Sequence, residues 1–72
     1  MNSEHLVKMA NQIAGFFASY PDQEQAAAET ATHLRKFWAP PMRDRLIAHA
    51  HEAGDDLAPV ARRAVELLQT AH

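Results

Sequence analysis

The chain has 72 residues, carries 7 Lys and Arg against 9 Asp and Glu for a net charge of −2, and contains no cysteine. At about 70–80 residues a single hydrophobic core leaves little stability to spare, and the missing thiols exclude disulfides, iron–sulfur ligation and cysteine-based zinc sites. The mild charge balance gives no strong electrostatic attraction to nucleic acid or anionic lipid.

Fifteen of the 34 apolar residues are alanine, which leaves 19 larger apolar side chains to build a core. Alanine is the best helix former and a poor core filler, so the composition favours short helices held by a thin seam. A partner subunit is one remaining means of stabilising such a chain. Breaks at Tyr20-Pro21-Asp22, Ala39-Pro40-Pro41 and Gly54-Asp55-Asp56 divide the chain into four segments with helical periodicity. The expectation is a single all-α domain over residues 1–72, a compact bundle of four short, mostly antiparallel helices at about 4–20, 23–38, 41–53 and 57–71.

The first segment opens at Ser3, a candidate N-cap. Leu6, Met9, Ala10, Ile13, Phe16, Phe17 and Tyr20 share one arc, with Glu4, Lys8, Asn11, Gln12, Gly15 and Ser19 opposite. Pro21 disfavours the helical conformation at Tyr20 and ends this helix there. Asp22 caps the second segment, with Gln25 at the partner position of a capping box. Its face, Ala27, Thr30, Ala31, Leu34, Phe37 and Trp38, begins small, which permits a close neighbour, and ends very large. Pro40 and Pro41 stop this helix and suit the first turn of the next.

The third segment is the least regular. Met42, Leu46, Ala50 and Ala53 form one stripe that includes His49, whereas Ile47 points away and lies one turn after Arg43. Two apolar faces are one more than a helix packed on its own domain requires. Gly54 is a natural left-handed C′ residue. The fourth segment lines up Leu57, Val60, Ala61, Ala64, Val65, Leu68 and Ala71, with Arg62, Arg63, Glu66 and Gln69 behind.

Residues that could carry chemistry are few and scattered. No pair among the five histidines has the i, i+4 spacing of a zinc helix; His49 and His51 point about 200° apart, and His33 pairs with Glu29 as a surface contact. His49, on the apolar stripe, reads as bonding a backbone carbonyl or a partner chain rather than a metal. The two serines lie outside any nucleophile elbow, and the two glycines form no phosphate loop. No catalytic, cofactor-binding or metal site is expected on this chain. No apolar run approaches the roughly 18–20 residues of a membrane span, and the first residues lack a basic n-region, so a cytoplasmic location is expected. A helix-turn-helix reading of segments two and three, with Arg43 and Arg45 opening a recognition helix, is opposed by the net charge.

What remains is Phe37-Trp38-Ala39-Pro40-Pro41-Met42-Arg43, which sets the only tryptophan beside a rigid corner, with methionine and arginine following. Tryptophan, methionine and arginine are enriched at protein interfaces. Phe37, Trp38, Met42, Arg43, Ile47 and His49 are therefore the candidate partner interface.

The string Met9-Ala10-Asn11-Gln12-Ile13-Ala14, then Phe16-Phe17, Pro21-Asp22, Phe37-Trp38, Met42-Arg43 and Ala48-His49, resembles the delta subunit of NAD-dependent formate dehydrogenase over nearly the whole chain. The pattern departs from the family at Ala39 and Pro41, where an acidic or hydroxyl residue and an arginine are expected, and Ala58 lacks a capping side chain, so Asp55 or Asp56 is expected to start the fourth helix. The resemblance implies a non-catalytic accessory subunit of a cytoplasmic molybdenum- or tungsten-containing complex that oxidises formate to CO2 and reduces NAD+. It places the molybdopterin guanine dinucleotide, iron–sulfur clusters, FMN and NAD on other subunits. It also implies partnership with the large catalytic subunit, without nucleic acid or membrane, and an isolated chain can cover the same surface by self-association. The alternative is a small helical DNA-binding or regulatory protein-interaction domain.

Overall fold

Residues 2–70 are described by a computed structural model. Four helices, α1 (Ser3–Phe17), α2 (Gln23–Phe37), α3 (Pro40–Ala53) and α4 (Pro59–Thr70), pack into an all-α bundle, with a 3₁₀ turn at Gly54–Asp56 and no strand among the described residues. The radius of gyration is 10.8 Å. No described helix is long and apolar enough to cross a membrane.

The helix ends follow local chemistry, with informative shifts. Asn2, one residue before the expected cap, accepts the Glu4 N–H on its Oδ1 at 2.8 Å, so α1 begins at Ser3. The same helix stops at Phe17, short of Tyr20. The Gln23 amide donates to the carbonyls of Ala18 at 3.0 Å and Tyr20 at 2.9 Å, satisfying them outside a helix. Asp22 caps α2 as expected, accepting from Glu24 and Gln25. Pro40 and Pro41 occupy the first turn of α3, where their missing N–H groups need no partner. Gly54 does not take the left-handed conformation: its φ is −78°, and the chain passes directly into the 3₁₀ turn. Helix α4 starts at Pro59 rather than at 57, and the expected contribution of Ala71 lies outside the described residues.

The most extensive packing sets α2 against α4. Ala26, Ala27, Thr30, Ala31 and Leu34 are buried on one side, and Val60, Ala61, Ala64 and Val65 on the other. Small side chains let the two backbones approach, and the buried hydroxyl of Thr30 donates through Oγ1 to Ala26 O at 2.8 Å. On α1 the buried residues are Leu6, Val7, Ala10 and Ala14. This stripe is rotated by roughly 75° from the expected arc. Val7 and Ala14 turn inward, Met9, Ile13, Phe17 and Tyr20 pack at the margin, and Phe16, expected in the core, is exposed. The buried Ala10 and Ala14 occupy the inward side of α1 and the larger rings lie toward the edge. Helix α3 buries Leu46 completely and packs Met42, Ile47 and Ala50 against the core. Ile47 thus finds its partners within the chain, because α3 touches α1, α2 and α4. Ala53 is exposed.

Candidate interaction surface

Four rings form a continuous row across the surface of α1 and α2. Phe16 stacks on Phe17 with centroids 5.0 Å apart, Phe17 meets His33 edge-on at 6.4 Å, and His33 lies 4.7 Å from Phe37. Tyr20 packs edge-on against Phe17 at 5.8 Å. The row is anchored in the middle, where Phe17 and His33 are half-buried, and open at both ends, where Phe16 is 67% and Phe37 72% exposed. These two are the exposed large apolar side chains of the described residues. Gln12, Ile13, Phe16, Phe17 and His33 line a shallow depression of ≈ 470 Å³ along the row. His33 faces these rings rather than forming an ion pair with Glu29.

The six candidate interface residues separate into distinct environments. Phe37 is exposed, whereas Trp38, its neighbour, is 6% exposed and part of the core. Trp38 leaves the helix with an extended backbone (φ −94°, ψ 136°), so its indole turns inward independently of the face on which Phe37 lies. Met42 and Ile47 pack against the core. Arg43 folds back on α2, its Nη1 donating to the carbonyls of Arg35 at 2.8 Å, Trp38 at 3.0 Å and Leu34 at 3.5 Å. A cation there partners carbonyl groups at the C-terminus of α2, of which Leu34 O also accepts the Trp38 N–H. The His49 side chain is 17% exposed and meets both carboxylate oxygens of Asp56 at 3.1 Å, so its partner is a side chain across the turn rather than a backbone carbonyl.

Asn11, assigned by periodicity to the polar face of α1, has a role that spacing alone conceals. Its Nδ2 donates to Asp56 O and its Oδ1 accepts the Ala58 N–H, both at 2.9 Å. This bracket holds the start of α4 where Ala58 offers no capping side chain. The pattern Ala10-Asn11-Gln12 held the only signal: an amide has donor and acceptor together, the set needed to bridge a backbone carbonyl and an N–H.

The remaining polar groups tie elements together. Arg63 of α4 pairs with Glu24 of α2 at 2.8 Å and with Glu66 at 3.1 Å, and Arg35 of α2 donates to Leu67 O at 2.9 Å. Hydrogen bonds from Arg63, followed by its charge, hold the Glu24 carboxyl below the ordinary glutamate range against the opposing effect of burial, and the Arg63 guanidinium is pushed up in turn by Glu24 and Glu66. His51 bonds Gln69 at 2.9 Å. Among the described residues no three histidine or carboxylate side chains gather as a cation site.

The donor set of the chain does not fit an iron–sulfur cluster, which is held chiefly by cysteine thiolates. No curated protein and no solved structure matches the chain. Residues 5–65 match the family described as NADH-dependent formate dehydrogenase delta subunit FdsD, which is most of the length and includes Asn11, the ring row, Arg43 and the α2–α4 seam. The chain belongs to this family of formate dehydrogenase delta subunits.

Proposed function

We propose that the chain is a non-catalytic accessory subunit that supports assembly or stability of a cytoplasmic, molybdenum- or tungsten-containing formate dehydrogenase. In this reading the holoenzyme oxidises formate to CO2 with reduction of NAD+. The molybdopterin guanine dinucleotide, iron–sulfur clusters, FMN and NAD sites lie on the other subunits, the large catalytic one among its partners. The observation that carries the reading is the outward placement of Phe16 and Phe37 at the ends of one ring row. In a chain with so few large apolar residues, two phenyl rings left in water gain most when another surface covers them.

Of the six candidate residues, Phe37 makes the contact directly. Trp38, Met42 and Arg43 hold the corner from behind, through the core and the α2 carbonyls, while Ile47 packs on the core farther along α3 and His49 pairs with Asp56 near the other end of that helix. Deleting this chain from a host that makes the complex, then restoring it, tests the role. The expected outcome is a loss of assembled, cofactor-loaded enzyme that returning the chain reverses. Unchanged holoenzyme yield and formate-dependent NAD+ reduction after deletion would refute it.

A further inference from the structure

We infer that the depression beside Phe16 and His33 receives an uncharged, apolar segment of another subunit of the formate dehydrogenase complex, seated between the Phe16 and Phe37 ends of the ring row. The inference rests on the accessory-subunit reading and deepens it by naming the face and the chemistry of its partner. Three observations carry it. The exposed large apolar side chains of the described residues are the two ends of a single row rather than scattered points. The row continues into the core through Ile13, Phe17 and Tyr20, so a segment laid on it extends an already packed apolar layer. No side chain lining the depression carries a formal charge when histidine is counted as neutral. A charged partner group would therefore be stripped of water there with nothing to pair with. An aliphatic or aromatic anchor meets no such cost, and grooves of this kind accept the apolar face of a helix. Membership of a family of formate dehydrogenase delta subunits supplies other subunits as partners, which favours one of them over a second copy of the chain.

The test is co-expression of the chain with the full set of formate dehydrogenase subunits, followed by capture on a tagged large subunit and measurement of the retained fraction. Three variants are compared with wild type: the double change Phe16→Ser/Phe37→Ser, and the single changes Gln12→Lys and Gln12→Glu, which place opposite charges at the exposed rim of the depression. Each is expected to weaken retention by about tenfold or more. The circular-dichroism melts of the isolated variants are expected to match wild type. Full retention of the double variant overturns the inference, and so does stronger binding by either Gln12 variant, since a gain with one sign of charge means a charged partner. An isolated wild-type dimer that Phe16→Ser/Phe37→Ser dissolves, with capture by the large subunit unaffected, overturns it in favour of a second copy. Failure of the wild-type chain itself to be retained overturns the accessory-subunit reading instead, and the inference falls with it.

Discussion

Phe37 and Trp38 are adjacent in sequence and opposite in fate, because the helix ends between them. A continuous helix would fix the two about 100° apart; the extended backbone at Trp38 releases its indole from that constraint to fill the end of the core. Trp38→Ala should therefore cost about 3–5 kcal/mol. That is a large fraction of the stability of a domain this small, so the variant should be largely unfolded in urea titrations where wild type is native. Phe37→Ala, at an exposed position, should stay within about 0.5 kcal/mol of wild type. Equal urea midpoints for the two variants would show that the corner is not packed as described. Arg43 shows the same limit of local reading. Residue type marks it as an interface candidate, but its guanidinium is committed to the carbonyl groups that end α2.

At the level of the elements, the breaks between helices were legible because proline geometry and side-chain capping act within a few residues. Asp22 and the Pro40-Pro41 pair sit where their chemistry requires. The misplacements involve partners farther along the chain or a change of helix type. Gln23 reaches back to end α1 before Tyr20, and the 3₁₀ turn at Gly54–Asp56 removes the need for a left-handed glycine. The bracket made by Asn11 joins positions 45 and 47 residues apart, which no periodicity records. Asn11→Ala leaves the Ala58 N–H and the Asp56 carbonyl without this partner and should cost about 1–2 kcal/mol. That corresponds to a fall in Tm of roughly 4–16 °C for a domain of this size, read by circular dichroism. Asn11→Asp, which keeps the acceptor for Ala58 and loses the donor to Asp56, should fall between wild type and Asn11→Ala. A Tm for Asn11→Ala equal to that of wild type would remove the bracket from the account of how α4 is started.

For the whole molecule, the α2–α4 seam is both the most extensive packing and the place where charge joins the elements. The pair of Glu24 and Arg63 lies on its solvent side, with both side chains about half exposed, so its contribution is screened and small. Its sign is definite. A carboxyl whose folded pKa is depressed stabilises the fold fully above its unfolded pKa, and the contribution disappears as pH falls through the folded value. The urea midpoints of wild type and Glu24→Gln should therefore differ slightly near neutral pH and converge in acid, below the usual glutamate range. A gap that persists unchanged into acid would assign the difference to packing rather than to charge.

Four amphipathic helices, their order and their breaks were determined by the sequence alone, because side-chain period, proline and capping residues act locally. The poverty of the core was equally plain from fifteen alanines and the few larger apolar residues. Which side of α1 is buried was decided only in the tertiary structure, where Val7 and Ala14 turn inward with Leu6 and Ala10 and Phe16 is left in water. The exposed ring row belongs to the same class of fact. Phe16, Phe17, His33 and Phe37 come from two helices, and only the packing of α1 beside α2 brings them into line. A helical wheel ranks the positions of one helix by hydrophobicity; the burial of each depends on the size and distance of side chains on the others.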